Sequence, residues 1–266
     1  MNRERRKNNF GKNYREPEES QYRLSSSCDS PAVTPADYRA WSRATFRRVR
    51  DWLPPDRRTP IVDLGCGAGQ FLYLLNSLGY TDITGVDLSP ARVEEARAAI
   101  PQARVMERDL REALATHPGR FGLITAFDVL EHISKNEVLA VLIQAAHALR
   151  PGGRLIVQAP NGESPWVGPV AYGDFTHEWI PTPKSLAELF SQAGLVSFGV
   201  RECGPVVHGF KSDLRFLLWQ LMRSLFVFQN LVETGHQWSG IYSRVFLATA
   251  CRSPLSNTGM LKEQGE

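Results

Sequence analysis

From residue 60 onward the chain alternates between two hydrophobic rhythms. Short, nearly continuous apolar runs near 60–66, 82–88, 103–109, 121–128 and 153–160 suit strands buried on both faces, as in a parallel sheet. Between them, apolar residues recur at helical spacing near 69–79, 90–99 and 135–150; in the first, Phe71, Leu72, Leu74, Leu75 and Leu78 share one face. Strands and helices in alternation predict an α/β fold on a doubly wound, mostly parallel sheet. Ahead of it, Tyr38, Trp41, Ala44, Phe46, Val49 and Trp52 predict an amphipathic helix over 35–53 that Pro54 and Pro55 terminate. Past Leu195 the order changes: LVSFGVREC reads as a sixth strand and YSRVFLATACR as a last strand, making a seven-stranded sheet. Residues 211–232 read as a helical insertion that breaks the hairpin between those two strands. The polar ends, 1–34 and 253–266, read as a flexible lead and tail around a domain spanning 35–252.

The first strand-to-helix turn carries the first candidate chemistry. IVDLGCGAGQF, Ile61 to Phe71, sets three glycines at alternate positions where the chain can approach a ligand closely, beside a helix start with unpaired N–H groups. A G-x-G-x-x-G dinucleotide fingerprint fails at Gln70, and no G-K-[ST] follows to make a P-loop. Asp87 closes the next apolar run, ITGVDL, where a carboxylate can accept from both hydroxyls of a ribose. These residues predict a ligand with a ribose and no pyrophosphate.

The ordered motifs resemble those of class I S-adenosylmethionine-dependent methyltransferases. The family's D-x-G-x-G-x-G matches Asp63, Gly65, Gly67 and Gly69, and the likeness continues through VDLSP (Val86 to Pro90), ERDL (Glu107 to Leu110), FDVLEH (Phe127 to His132) and LRPGGRL (Leu149 to Leu155). The resemblance implies a Rossmann-like fold with an antiparallel last strand, S-adenosyl-L-methionine as cofactor, and a methyltransferase activity. It places Asp87 and its neighbour Leu88 at the ribose, Asp109 at the adenine amino group and Leu110 beside the ring. Gly65, Gly67 and Gly69 then cradle the methionine moiety, while Asp63 or the chain at Phe127 receives its ammonium group. Asp63 reads equally well as a brace for the loop.

Composition narrows the partners. With 266 residues, 42% hydrophobic and 22% charged, the chain suits a globular domain with attachments, and a net charge of +3 without a clustered basic stripe argues against nucleic acid. The basic RERRK near the start is interleaved with Glu4, Glu16, Glu18 and Glu19, as in a solvated tail. Four cysteines, Cys28, Cys66, Cys203 and Cys251, lack metal-binding spacing, and the amino terminus lacks the apolar core of a signal peptide; a cytoplasmic location is expected. Cys66 reads as a small residue required by the loop, not a nucleophile.

Methyl transfer to a hydroxyl needs a proton acceptor or a metal that acidifies the hydroxyl. Asp128, Glu131 and His132 form D-x-x-E-H after the fourth strand, and YGDFTHEW, Tyr172 to Trp179, supplies Asp174 and His177 after the fifth. His132, His177, Glu131 and Asp174 are the catalytic candidates. This set also resembles small-RNA and ubiquinone-pathway O-methyltransferases. The first of these implies a divalent Mg or Mn ion on Asp128, Glu131, His132 and His177, with Asp128 standing where that family carries a longer glutamate. A metal-free histidine base and simple bracing of the loop remain the alternatives.

The acceptor is read from PNGESPWVGPVAYGDFTHEWIPTPKSL, Pro160 to Leu186, which resembles bacterial methyltransferases of cell-envelope polysaccharide synthesis, as does VETG at Val232 to Gly235. Residues 162–182 read as a substrate loop, with Trp166, Tyr172 and Trp179 as stacking faces and Asn161, Asp174 and Glu178 as polar contacts. A sugar or glycan-precursor hydroxyl leads, followed by a small-molecule acceptor such as a quinol or secondary metabolite, an RNA end, and a non-catalytic cofactor-binding module. In the insertion, Leu214, Leu217, Leu218, Leu221, Leu225 and Leu231 give a wide apolar face interrupted by Arg215 and Arg223. It is too polar to span a bilayer, and is expected to pack on the domain or a second copy of the chain, or to rest on the inner membrane surface.

Overall fold

The structure, a computed structural model, describes residues 33–207, 209–236 and 239–254. The lead over 1–32 and the tail over 255–266, including RERRK, lie outside the described residues. Seven strands form one sheet: β1 (Ile61–Leu64), β2 (Ile83–Asp87), β3 (Arg104–Glu107), β4 (Phe121–Phe127), β5 (Leu149–Pro160), β6 (Leu195–Glu202) and β7 (Val245–Arg252). Their order is β3-β2-β1-β4-β5-β7-β6, with β7 antiparallel to both neighbours. The sheet is therefore doubly wound about β1 and β4, and ligands in such sheets bind beyond the strand ends where the order reverses.

Side chains alternate between two cores, one on each face of the sheet. Ile61, Leu123, Ile156 and Leu247 point into a cluster with Tyr38, Phe71, Leu72 and Leu75; Val62, Ile124, Leu155 and Phe246 join Leu142, Leu186 and Phe190 on the other side. Both faces are dry, which explains the unbroken apolar wording of these strands. Each such side chain contributes about 1.5–3 kcal/mol on burial. Surface ion pairs such as Arg97 with Glu94 contribute at most about 1 kcal/mol each, so the fold rests on the cores.

The helices start where the sequence supplies caps. Thr34 opens α1 (Pro35–Val49) in a reciprocal capping box with Asp37, and Thr182 does the same with Ser185 for α6 (Pro183–Gln192). Ser89 caps α3 (Pro90–Ala99), and each of these three helices has proline in its first turn, where no N–H is missed. Three others, α2 (Gln70–Ser77), α4 (Leu110–Ala115) and α5 (Val138–Ala148), complete the layers. The hydrophobic pattern does not predict α4 or α6.

The insertion is α7, Phe210–Thr234, and although it interrupts the chain between β6 and β7, those strands still pair. The insertion thus interrupts the connection of that hairpin as expected, while the strands keep their register through Val200–Ala248 and its neighbours. One side of α7 is held. Trp219 Nε1 donates to Glu202 at 3.1 Å, Arg223 forms an ion pair with Glu202 at 3.0 Å, and Asn230 donates to the Tyr242 hydroxyl at 2.8 Å. Phe226 packs edge-on against Trp166. The opposite side leaves Leu214, Leu217, Leu221 and Leu225 more than half exposed, so packing on the domain accounts for only one face. Among the described residues no helix is long and apolar enough to cross a membrane.

Asn161 ties this part together. Fully buried, it donates from Nδ2 to the Ile241 and Ser243 carbonyls at 2.8 and 3.0 Å and accepts from the Glu163 amide. The expected substrate contact is thus a structural one. Replacing Asn161 by Ala leaves two buried carbonyls unpaired and should destabilise the protein by about 2–4 kcal/mol; urea unfolding measures this, and a loss under about 0.5 kcal/mol would contradict the assignment.

Candidate active site

A cavity of about 320 Å³ opens at the ends of β1, β2 and β4. Gly65 and Gly67 form its floor in left-handed conformations, φ +63° and +53°. A Cβ on Gly65 would come within 2.5 Å of Val129, whereas at Gly67 nothing approaches closer than 3.9 Å, so Gly67 leaves the backbone open to the cavity. Gly69 serves the fold instead. It opens α2, and a Cβ there would strike Ile100 and Ala96 of the neighbouring helix.

Asp87 organises the loop. Its two carboxylate oxygens accept the Gly67 and Ser89 amides, each at 2.8 Å, and the residue lines the cavity with Leu88 and Leu110. Arg92 and Arg108 border it as well, which the motifs do not signal. Asp109 stands apart: its carboxylate caps α4 by accepting the Arg111 amide at 2.6 Å and pairs with the Arg111 side chain. Phe127 turns its ring into an aromatic cluster with Phe71 and Trp41, at centroid distances of 4.8 and 5.7 Å.

Asp63 is buried below the loop and accepts a 2.6 Å hydrogen bond from Thr125. The structure therefore places it as a brace. Burial pushes its carboxyl up to about 7, against the opposing pull of the Thr125 hydroxyl. Cys66 is equally buried, and burial pushes its thiol up, which leaves it an inert small residue of the loop.

On the far side of the cavity, Asp128 takes the left-handed conformation, φ +54°, and turns the chain sharply out of β4 into a single tight turn, Leu130–His132. Such a conformation at a non-glycine residue is held only by its surroundings. Here Gln158 of β5 supplies them: its carbonyl accepts the Asp128 amide, and its Nε2 donates to both Asp128 oxygens at 3.1 and 2.9 Å. The loop after β5 folds back onto the same turn. Glu178 N donates to the Glu131 carbonyl and Trp179 Nε1 to the Leu130 carbonyl, both at 2.8 Å. Trp179, expected from its place in the chain to be a stacking face, is this anchor; Tyr172 and Phe175 are the exposed aromatics.

The fold-back brings the two histidines together, ring centroids 4.7 Å apart. His177 Nδ1 lies 3.1 Å from the Ala171 carbonyl, an acceptor, so Nδ1 carries the proton and Nε2 the basic lone pair. His132, which lines the cavity, contacts the Thr176 hydroxyl at 2.8 Å through Nδ1, and burial, reinforced by His177, lowers its pKa. Asp174 also lines the cavity and holds Thr176 at 2.7 Å. Glu131 is almost wholly buried, with Oε2 lacking a hydrogen-bond partner; burial and then the neighbouring Asp128 push its carboxyl up to about 8. One donor atom each from Glu131, His132 and His177 lies within 4.8 Å of the others. Asp128 is outside that group, its oxygens being held by Gln158.

A family profile described as "Methyltransferase domain" matches residues 38–197, well over half of the chain. The chain belongs to the methyltransferase family. Within it, this methyltransferase is 30% identical over 123 residues to the ubiquinone biosynthesis O-methyltransferase of Xanthomonas campestris pv. campestris, covering 45% of this chain and 49% of the relative. It is 34% identical over 135 residues to the trans-aconitate 2-methyltransferase of Azoarcus sp., covering 49% and 52%. The chain thus spans about half the length of the curated relatives it matches. Among solved structures, a SAM-dependent methyltransferase from Archaeoglobus fulgidus superimposes with a TM-score of 0.59 at 16% identity, over 79% of this chain and 94% of that one. That likeness confirms the class I fold.

The raised pKa of Asp63 has a stability consequence. Folding favours the protonated carboxyl, so its contribution is fully present below the unfolded value near 4 and is lost as pH rises through about 7. Asp63→Asn, which retains the acceptor for Thr125, should flatten the fall in melting temperature between about pH 4 and 7. An unchanged pH dependence would show that Asp63 is not the titrating group.

Proposed function

We propose that this protein is an S-adenosylmethionine-dependent O-methyltransferase in which a histidine pair at the cavity mouth takes the proton of the acceptor hydroxyl. The observation that carries this reading is the convergence of Glu131, His132 and His177 beside the Gly65–Asp87 cavity. When bound, S-adenosylmethionine supplies a methyl group activated by its sulfonium. The residues fit that cofactor: Asp87 uses one lone pair on each oxygen for the loop and keeps others for ribose hydroxyls, Gly67 admits close backbone approach, and Leu88 and Leu110 border the base. The Asp109 carboxylate, although it caps α4, likewise keeps a lone pair on each oxygen for the adenine amino group.

At the acceptor, His177 Nε2 receives the proton as the hydroxyl attacks, and neutral His132 orients that hydroxyl toward the cavity. Asp174 fixes the loop through Thr176 and lies close enough to both histidines to feel their charge. The acceptor we favour is a sugar or glycan-precursor hydroxyl: exposed Tyr172 and Phe175 beside polar Asp174 and Thr176 offer the mixture of ring faces and hydrogen-bonding groups that sugars take. The ubiquinone-pathway relative supports a quinol as the alternative.

A second reading has its own observation. The unpartnered buried oxygen of Glu131 beside two histidines fits a divalent Mg or Mn ion on Glu131, His132 and His177, which would lower the pKa of a hydroxyl held next to it. In the absence of that charge, Glu131 holds its own proton.

Methyl transfer from labelled cofactor into sugar-nucleotide, glycan-precursor and quinol pools tests the acceptor. His177→Ala should lower kcat by at least about 100-fold while S-adenosylhomocysteine affinity stays within about 2-fold. Activity that survives exhaustive chelation selects the histidine base; activity abolished by chelation and restored by Mn or Mg selects the metal; a fully active His177→Ala enzyme contradicts both.

A further inference from the structure

A second and larger cavity, about 1090 Å³, runs between α1 and α7. It is lined by five arginines: Arg43, Arg47 and Arg48 of α1, Arg215 of α7, and Arg244 just before β7. No carboxylate lines it among the described residues. Of the acids nearby, Glu202 faces Trp219 and Arg223 and Asp51 binds Arg201, while Asp213, beside Ser212, does not line the cavity. Trp166, Trp219 and Tyr242 supply aromatic walls.

Two of the arginines have structural duties. Arg48 donates to the Gly204 carbonyl at 2.8 Å and Arg47 to that of Val207, holding the segment after β6 against α1. Neither duty requires a positive charge, and neither involves Arg43, Arg215 or Arg244, which are exposed. Five guanidinium groups around one concave surface repel one another and focus a positive field into it. Only a multiply charged oxyanion, phosphate or carboxylate, matches their planar paired donors.

The groove and the cofactor cavity are neighbours. Cys203 in the groove wall approaches Gln158 Oε1 at 3.9 Å, and the same Gln158 grips Asp128 in the cavity wall. Trp166 belongs to both the groove and the loop that carries His177. Resting on the methyltransferase reading above, we infer that the groove binds the anionic portion of the acceptor, a phosphate, diphosphate or di- or tricarboxylate group. Its aromatic walls seat the adjoining ring or chain, and the reacting hydroxyl reaches past Gln158 to the histidine pair. This makes the arginine groove the determinant of acceptor class.

The test is calorimetric titration of the full chain with inorganic pyrophosphate and, separately, citrate at fixed ionic strength, each with and without saturating S-adenosylhomocysteine. Arg215→Ala/Arg244→Ala is the variant, because neither side chain holds the fold; Arg43→Ala is a second, independent one. Saturable binding of at least one anion below about 10 mM, undisturbed by S-adenosylhomocysteine and weakened at least about tenfold in the double variant, is expected; the tighter anion then names phosphate or carboxylate chemistry. No saturable binding of either, binding unchanged in both variants, or displacement by S-adenosylhomocysteine would overturn the inference. The S-adenosylhomocysteine titration alone reports on the cofactor reading, so the two failures are distinguishable.

Discussion

The carboxylate of Asp87 is the constraint on which the site depends. By accepting the Gly67 and Ser89 amides it pins the glycine loop of one strand to the end of the next. The loop's left-handed residues are tolerable only as glycine, and the tie costs Asp87 only part of its acceptor capacity. What remains faces the cavity. One side chain thus sets the loop's shape and lines the cavity beside it.

The opposite wall is assembled by a different route. Gln158 holds Asp128 in a strained conformation, the strain redirects the chain into the Leu130–His132 turn, and Trp179 and Glu178 fasten the later loop to that turn. These contacts are hydrogen bonds between segments far apart in sequence. They bring His177 back to His132 across the intervening α5 and β5. Asn161 and the Trp166–Phe226 contact then fix the same loop to β7 and α7, so the insertion and the histidine pair are mechanically continuous.

The sheet was legible because both of its faces are buried: a strand dry on two sides writes a short apolar run, and its brevity and flanking glycines and prolines set it apart from a buried helix, as at Ile61 to Leu64 and Phe121 to Phe127. The glycine loop was legible because close approach and positive φ leave no substitute. Side-chain commitments were less so. Asn161 looks like a ligand contact in a linear reading, yet it joins the end of β5 to the approach to β7, and only the path of β7 decides this. The short α4 escaped notice because six residues scarcely display a period. The arginine groove was invisible for a related reason: Arg43, Arg47 and Arg48 recur at helical spacing like any solvated face, and Arg215 and Arg244 join them only through the packing of α7 against the sheet.

Asp87 decides whether this cavity holds the cofactor. Calorimetric titration of S-adenosylhomocysteine into the wild type and Asp87→Ala, with melting temperatures recorded to confirm that both are folded, tests it most directly. Loss of charge-assisted hydrogen bonds to the ribose, together with release of the Gly67 loop, should weaken binding by about 2–3 kcal/mol. Equal affinity in the two proteins would contradict the assignment of this cavity to the cofactor.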